Sequence, residues 1–222
     1  MLELEERVWK NIGIPRISPD VFRRWTATYQ RGFFVAVLEG KVCGYTYHER
    51  INFDAANPIA SIQPLIHAGY TGRTHTPSGN ALYGISVVAH PPNLGAGKAL
   101  LNEAIKLAHR EGVAYIVTFS RMPGLAGFLQ TAHGLPAGAK YCTEELALHY
   151  AIQSMNLVDG LIDASLSEGV LPDLPAVTQS DPVLGRFAKL MGMKLYGVVP
   201  STFPDPKSAN MAALAAYAIP QI

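Results

Sequence analysis

The stretch from Leu82 to Arg110 constrains the fold more than any other part of this chain. Leu82-Tyr83-Gly84-Ile85-Ser86-Val87-Val88 is a continuous apolar run of strand length, and Pro91-Pro92-Asn93-Leu94-Gly95-Ala96-Gly97-Lys98 is a glycine turn. A helix follows from about Gly95 to Arg110, with Leu100, Leu101, Ala104, Ile105 and Ala108 as its apolar stripe and Lys106, His109 and Arg110 near its C-terminal end. A strand feeding a glycine turn at a helix N-terminus presents backbone N–H groups to an anion, above all a phosphate. Val113 to Phe119 is a second buried strand, so strand, turn, helix and strand predict a parallel pair with a helical crossover.

The rest of the chain is consistent with one domain over 1–222. At 222 residues, with 49% hydrophobic and 16% charged positions, it can bury a real core. A net charge of +1 and no polybasic block argue against nucleic acid or a membrane surface as partner. No stretch reaches the roughly 20 apolar residues that span a bilayer. Cys43 and Cys142 have neither disulfide nor zinc spacing and are expected as free thiols, with no metal site. Met1-Leu2-Glu3-Leu4-Glu5-Glu6-Arg7 is acidic and amphipathic, unlike a secretory signal, so a cytoplasmic location is expected.

Helices are predicted over Leu2–Asn11 and, after a Ser18-Pro19-Asp20 cap, through Tyr29. Phe33–Leu38 and Val42–Phe53 form a hairpin about Glu39-Gly40-Lys41. On its return strand Tyr45, Tyr47 and Glu49 share one face, and Thr46, His48 and Arg50 the other. Asp54–Asn80 reads as a long loop. From Arg121 to Ser180 the pattern is helical, with a start at Thr143-Glu144-Glu145 and a break at Leu171–Pro175. Asp181-Pro182 caps a helix through Met191, and strands at Lys194–Val199 and Asn210–Ala218 are joined by a turn at Phe203-Pro204-Asp205-Pro206.

Spacing rejects two commoner phosphate loops. A P-loop needs Ser or Thr after its lysine, but Ala99 follows Lys98; a dinucleotide fingerprint needs a third small residue where Leu100 stands. Pro92-Asn93-Leu94-Gly95-Ala96-Gly97 instead resembles the Gln/Arg-x-x-Gly-x-Gly/Ala motif of the Gcn5-related N-acetyltransferase (GNAT) superfamily. The resemblance runs from about Phe33 to Tyr217 and implies an α/β (α+β) GNAT fold: a mixed central sheet flanked by helices, with a helical insertion (about 122–180) after the fifth strand. It implies acetyl-CoA or coenzyme A as cosubstrate and assigns the pantetheine strand to Val87, Val88 and Ala89. The pyrophosphate cradle falls to Leu94, Gly95, Ala96, Gly97 and Lys98. Pro92 replaces the usual Gln/Arg and Ala89 the proline that often ends the strand, so the cradle is a backbone one. Two segments compete for the family's second helix, Ala126–Leu135 and Asp181–Met193; the latter has the better cap and is followed at once by two strands.

By resemblance the first expected activity is N-acetyl transfer to a small-molecule amine, with an acyl carrier as the other acceptor class and a homodimer as a possible state. The family's tyrosine acid is missing: Ala188 holds its position, or Gln130 in the other alignment. Candidates for the base are Glu49, His48 and His90, against plain surface roles for each. The layout also resembles GNAT-fold domains of polyketide loading modules, which decarboxylate malonyl-type thioesters with a threonine and a histidine. Under that reading Thr118, Ser120 and Arg121 face a carboxylated acyl group, and His133 or His149 supplies a proton. The bland counterpart has Thr118 as a half-buried strand residue, the histidines at the surface and Arg121 in a local ion pair. A non-catalytic acyl-CoA-binding module is the third reading.

Overall fold

The computed structural model describes residues 1–10, 12, 14–68, 73–92, 94–134, 142–169, 174–201 and 204–220. Seven strands, β1 (Phe33–Leu38), β2 (Lys41–Ile51), β3 (Ala81–Ala89), β4 (Tyr115–Arg121), β5 (Leu161–Ile162), β6 (Lys194–Pro200) and β7 (Met211–Ala218), are ordered β1-β2-β3-β4-β7-β6-β5 in one mixed sheet. The insertion thus follows the fourth strand in chain order rather than the fifth. Contacts divide the chain into two compact units, Met1–Val117 with Ala218–Ile222, and Thr118–Tyr217; β4 and β7 each run from one into the other.

In the first unit, α1 (Leu2–Trp9) and α2 (Pro19–Tyr29) cover β1–β3. Ser18 caps α2 by accepting from the Val21 N–H, and Pro19 opens it, as the sequence predicts. The helices bury Leu4, Phe22 and Trp25 against Tyr45, Tyr47 and Val88. Trp25 stacks on Tyr47 with ring centroids 4.6 Å apart. Each such fully buried large side chain contributes about 2–3 kcal/mol. Glu5 is buried with them: its carboxylate accepts from Trp9 Nε1 (2.9 Å), the Ile17 N–H (2.7 Å) and the Tyr45 hydroxyl (2.5 Å). One acid in the first helix therefore fixes α1 to the sheet.

Within 54–80, expected as loop, the chain forms α3 (Pro58–Ala68) and buries Ile62 and Leu65. Pro58 and Pro64 read as breakers, but Pro58 opens the helix and Pro64 costs one internal hydrogen bond, which tertiary burial outweighs. Helix α4 (Ala96–Arg110) buries Leu100, Leu101, Ala104 and Ala108, with Leu107 rather than Ile105 completing the stripe. It approaches β2 at Gly44, where a β-carbon would come within 2.9 Å of the Val88 carbonyl oxygen and 3.0 Å of Leu100 Cδ1.

The second unit buries α5 (Leu125–His133), α6 (Glu144–Asn156) and α7 (Leu184–Met191) around Met122, Leu129, Ala151, Met155, Leu184, Leu195 and Ala213. Thr143 caps α6 through the Leu146 N–H, with Glu144 and Glu145 in the first turn, where the sequence places them. Asp181 is buried and accepts four hydrogen bonds. Oδ1 takes the N–H groups of Val183 (2.9 Å) and Leu184 (3.0 Å) at the start of α7; Oδ2 takes the Gly124 N–H (3.0 Å) and the Tyr150 hydroxyl (3.1 Å). The predicted cap thus also binds the turn before α5 and helix α6.

Candidate functional site

The glycine turn adopts the form its spacing predicts. Gly95 is left-handed at φ +73° and precedes α4, whose first hydrogen bond to it is the Ala99 N–H on the Gly95 carbonyl at 3.0 Å. At a helix start the amides of Ala96, Gly97 and Lys98 have no partner within the helix. Leu94, Gly95 and Lys98 are exposed, and a β-carbon on Gly95 would meet nothing within 4 Å. An open ring of N–H donors backed by a helix dipole is a binding place for an anionic group. Asn93 lies outside the described residues.

The strand leading to it is irregular. Against β2, Ser86 pairs with Tyr47 but Gly84 with His48, so Ile85 is an extra, unpaired residue. Such a bulge re-aims side chains and backbone groups. Val87, Val88 and Ala89 follow in register with Thr46, Tyr45 and Gly44. Val88 is buried, Val87 and Ala89 half-buried. Beside the bulge, half-buried Ser86 directs its hydroxyl to Tyr45 at 3.4 Å, and Tyr45 donates to Glu5. A serine, a tyrosine and a carboxylate therefore form one directed chain into the interior. Sequence reasoning missed it, because Glu5 reads as an exposed helix acid.

Of the three base candidates, two are sealed. Glu49 is fully buried; Oε2 accepts from the Thr74 hydroxyl at 2.8 Å, while Oε1 and the Tyr47 hydroxyl have no hydrogen-bond partner. Burial raises its carboxyl above the ordinary value, against the pull of Thr74 and Tyr47, and in turn Tyr47 is raised by burial and by Glu49. Burial and a raised carboxyl weigh against Glu49 as the base. His48 is also buried, with Nδ1 unpartnered; burial lowers it to about 4 against the Gly32 backbone, so it is neutral. His90 is half-buried at the strand exit, its N–H on the Cys43 carbonyl at 2.9 Å.

The sign for Glu49 is definite. A carboxyl raised on folding binds more protons in the native than in the unfolded chain, so stability falls as pH rises above the unfolded value and levels off beyond the folded one. Glu49→Gln, which keeps an acceptor for Thr74, is expected to gain in melting temperature over the wild type as pH rises from 5 to 8. A difference independent of pH, measured by thermal denaturation, would show that Glu49 does not bind a proton on folding.

In the second unit, Thr118 and Ser120 are buried on β4, and the Ser120 hydroxyl donates to the Arg121 carbonyl at 3.1 Å. Arg121 carries a carboxylate, but it is the chain's own: Nε and Nη2 grip Asp205 Oδ2 and Oδ1 at 2.6 and 2.8 Å. Burial would raise Asp205, but Arg121 and Ser208 overcome it and hold the carboxyl below the ordinary value. That ion pair occupies the Nε–Nη2 edge of the guanidinium, which weighs against Arg121 as a substrate clamp. His149 is not at the surface; it is fully buried on α6. Gln153 Oε1 accepts from the Val177 N–H at 2.6 Å, which fixes its amide, so its Nε2 donates to His149 Nε2 at 3.1 Å. With Gln153 Nε2 as donor, His149 Nε2 is the acceptor, which leaves Nδ1 for the ring proton. Ala188 packs in the apolar core and Gln130 is exposed. The His133 side chain lies outside the described residues. Both cysteines are free, and among the described residues no group of His, Cys, Asp or Glu is arranged to hold a metal and no helix is long and apolar enough to cross a membrane.

No protein-family model matches the chain. The probable hydrolase YhcX of Bacillus subtilis (strain 168) is 26% identical over 150 residues, which are 65% of this chain and 28% of that protein; the chain therefore spans little more than a quarter of its curated relative. The solved GphF GNAT-like decarboxylase, in complex with isobutyryl-CoA, aligns over 98% of this chain and 92% of its own at 25% identity and a TM-score of 0.65. The loading GNATL domain of CurA from Lyngbya majuscula aligns over 98% and 90% at 20% identity and 0.57. YncA of Salmonella typhimurium, a putative acetyltransferase with acetyl-CoA, aligns over 99% and 87% at 14% identity and 0.50. The protein has the GNAT fold, shared with acetyltransferases and with GNAT-like decarboxylases. Within that fold, the glycine turn lies between β3 and α4, as the sequence motif implies.

Proposed function

We propose that this protein binds a coenzyme A thioester at the Leu94–Lys98 turn and decarboxylates a malonyl-type acyl group. The likeness to the GphF decarboxylase over 98% of the chain carries this reading. Two features of the residues support it. Ala188 is core packing where a transferring relative would carry its tyrosine acid. Arg121 is neutralised by Asp205, and a carboxylate about to leave as carbon dioxide is better left unpaired than clamped, since an ion pair stabilises the ground state and not the transition state.

In the reaction the bond between the α-carbon and the carboxylate breaks, carbon dioxide leaves and the electron pair passes into the thioester enolate. A proton from solvent completes the new acyl-CoA. By resemblance to the decarboxylating loading domains its handling falls to Thr118 and His149, with Gln153 Nε2 on the His149 ring. Mass spectrometry should show malonyl-CoA becoming acetyl-CoA without any acceptor. Thr118→Val and His149→Asn should each slow this at least about 100-fold, as loss of a proton-transfer group does, with malonyl-CoA still raising the melting temperature. An inert malonyl-CoA, together with amine-dependent consumption of acetyl-CoA, would replace the reading with N-acetyl transfer. That second reading has its own support in the Ser86–Tyr45–Glu5 chain, whose hydrogen bonds run in the direction that accepts a proton from an amine.

A further inference from the structure

Ser86 is held by consecutive residues of β2 that point to opposite faces of the sheet. The hydroxyl of buried Thr46 donates to the Ser86 carbonyl at 2.8 Å, and the Tyr45 hydroxyl lies 3.4 Å from Ser86 Oγ. Counting hydrogens fixes which way the second bond runs. Trp9 Nε1 and the Ile17 N–H can only donate, and both end on Glu5, at 2.9 Å on Oε1 and 2.7 Å on Oε2. With both its oxygens acting as acceptors, Glu5 also takes the single hydrogen of the Tyr45 hydroxyl at 2.5 Å. Tyr45 therefore has only a lone pair to offer Ser86, and the serine hydrogen points inward. The half-buried Ser86 oxygen keeps lone pairs alone for anything that approaches from outside, and among the described residues no donor reaches it.

We propose that Ser86 Oγ accepts an N–H of the bound thioester, that of the pantetheine amide nearest the sulfur. The proposal rests on the coenzyme A reading of the Leu94–Lys98 turn. An arm running from that turn back along β3 passes Ala89, Val88 and Val87 in order and meets Ser86 last, so the amide it brings there is the one beside the thioester. An acceptor whose own hydrogen is spent inward favours an N–H and disfavours a group that carries only lone pairs. Thr46 and Tyr45 are positioning residues that act through Ser86: one fixes its backbone beside the Ile85 bulge, the other its proton. The contact reads the arm and not the acyl group, so it is the same before and after carbon dioxide leaves. Its loss should therefore raise KM and leave kcat in place.

Titration calorimetry on the whole chain with three ligands tests this: coenzyme A, ADP, which keeps the pyrophosphate and has no arm, and a coenzyme A analogue with an ester oxygen in place of that amide nitrogen. The wild type should bind coenzyme A about 10-fold more tightly than the ester analogue, the cost of facing two acceptors. Ser86→Ala should lose about 3–10-fold on coenzyme A and nothing on ADP, and should no longer tell amide from ester. Tyr45→Phe frees the serine hydrogen to turn outward, so the ester analogue should gain on coenzyme A in that variant. ADP reports the fold and the cradle, and its unchanged affinity marks each variant as intact. Wild-type affinity for coenzyme A in Ser86→Ala would overturn the proposal, as would an equal loss on coenzyme A and ADP. A wild type that binds neither would overturn the coenzyme A reading, and this proposal with it.

Discussion

Gly95→Glu is expected to lower coenzyme A affinity by about 100-fold or more and to leave the chain folded. The cradle is made of backbone N–H groups at the start of α4, so no side-chain deletion can remove it; it must be filled. Losing two charge-assisted hydrogen bonds of about 1.5–3 kcal/mol each is enough for that factor. The fold should survive because a β-carbon at Gly95 meets no atom within 4 Å. What remains is the left-handed backbone, φ +73°, which costs a non-glycine residue about 1–2 kcal/mol. Gly95→Ala carries the same backbone cost without bulk or charge, and separates the two effects. It should melt a few degrees lower than the wild type and still gain stability from coenzyme A, whereas Gly95→Glu should gain none. A retained thermal shift in Gly95→Glu would remove the turn from the binding site.

That turn was legible because its information is local. Strand, left-handed glycine and helix start lie within 29 residues, and each is encoded by composition and periodicity. The caps Ser18 and Thr143, and Asp181 at the start of the last helix, were legible for the same reason. The sealed acid Glu49 was not. Alternation along β2 places it correctly beside Tyr47, but strand period says only which face a residue takes. That both faces of β2 are covered, by α1 and α2 and by α4, is a tertiary outcome. Helix α3 was hidden by its two prolines. The Ile85 bulge has no sequence signature beyond a glycine before it, since it arises from a mismatch in register with another strand. Glu5, polar on an exposed-looking helix, depends on Tyr45 forty residues away.

Arg121→Met is expected to destabilise the chain by about 3–5 kcal/mol, the typical cost of removing one partner of a buried ion pair. Asp205 is 1% exposed, and Arg121 supplies two of the hydrogen bonds to its carboxylate. Without the guanidinium it keeps the Ser208 hydroxyl at 2.6 Å, which itself accepts the Met122 N–H at 3.0 Å, so the loss spreads to the end of β4. The partner is 84 residues along the chain, which is why the sequence shows the arginine and not what it holds. The pH dependence has the opposite sign to that of Glu49. A carboxyl held below its unfolded value of 3.8 adds stability that is present above that pH and is lost as pH falls through the folded value. Arg121→Met should therefore narrow its deficit in acid, because protonation removes the uncompensated charge. Arg121→Met with Asp205→Leu should recover most of the loss, since an ion pair replaced as a whole costs far less than one broken. Chemical denaturation of the wild type, the single variant and the double variant at pH 7 and pH 4 measures all of this. A folded Arg121→Met of wild-type stability that had lost only malonyl-CoA binding would return the arginine to the substrate; a large deficit rescued by Asp205→Leu would leave it to the fold, with the leaving carboxylate unclamped.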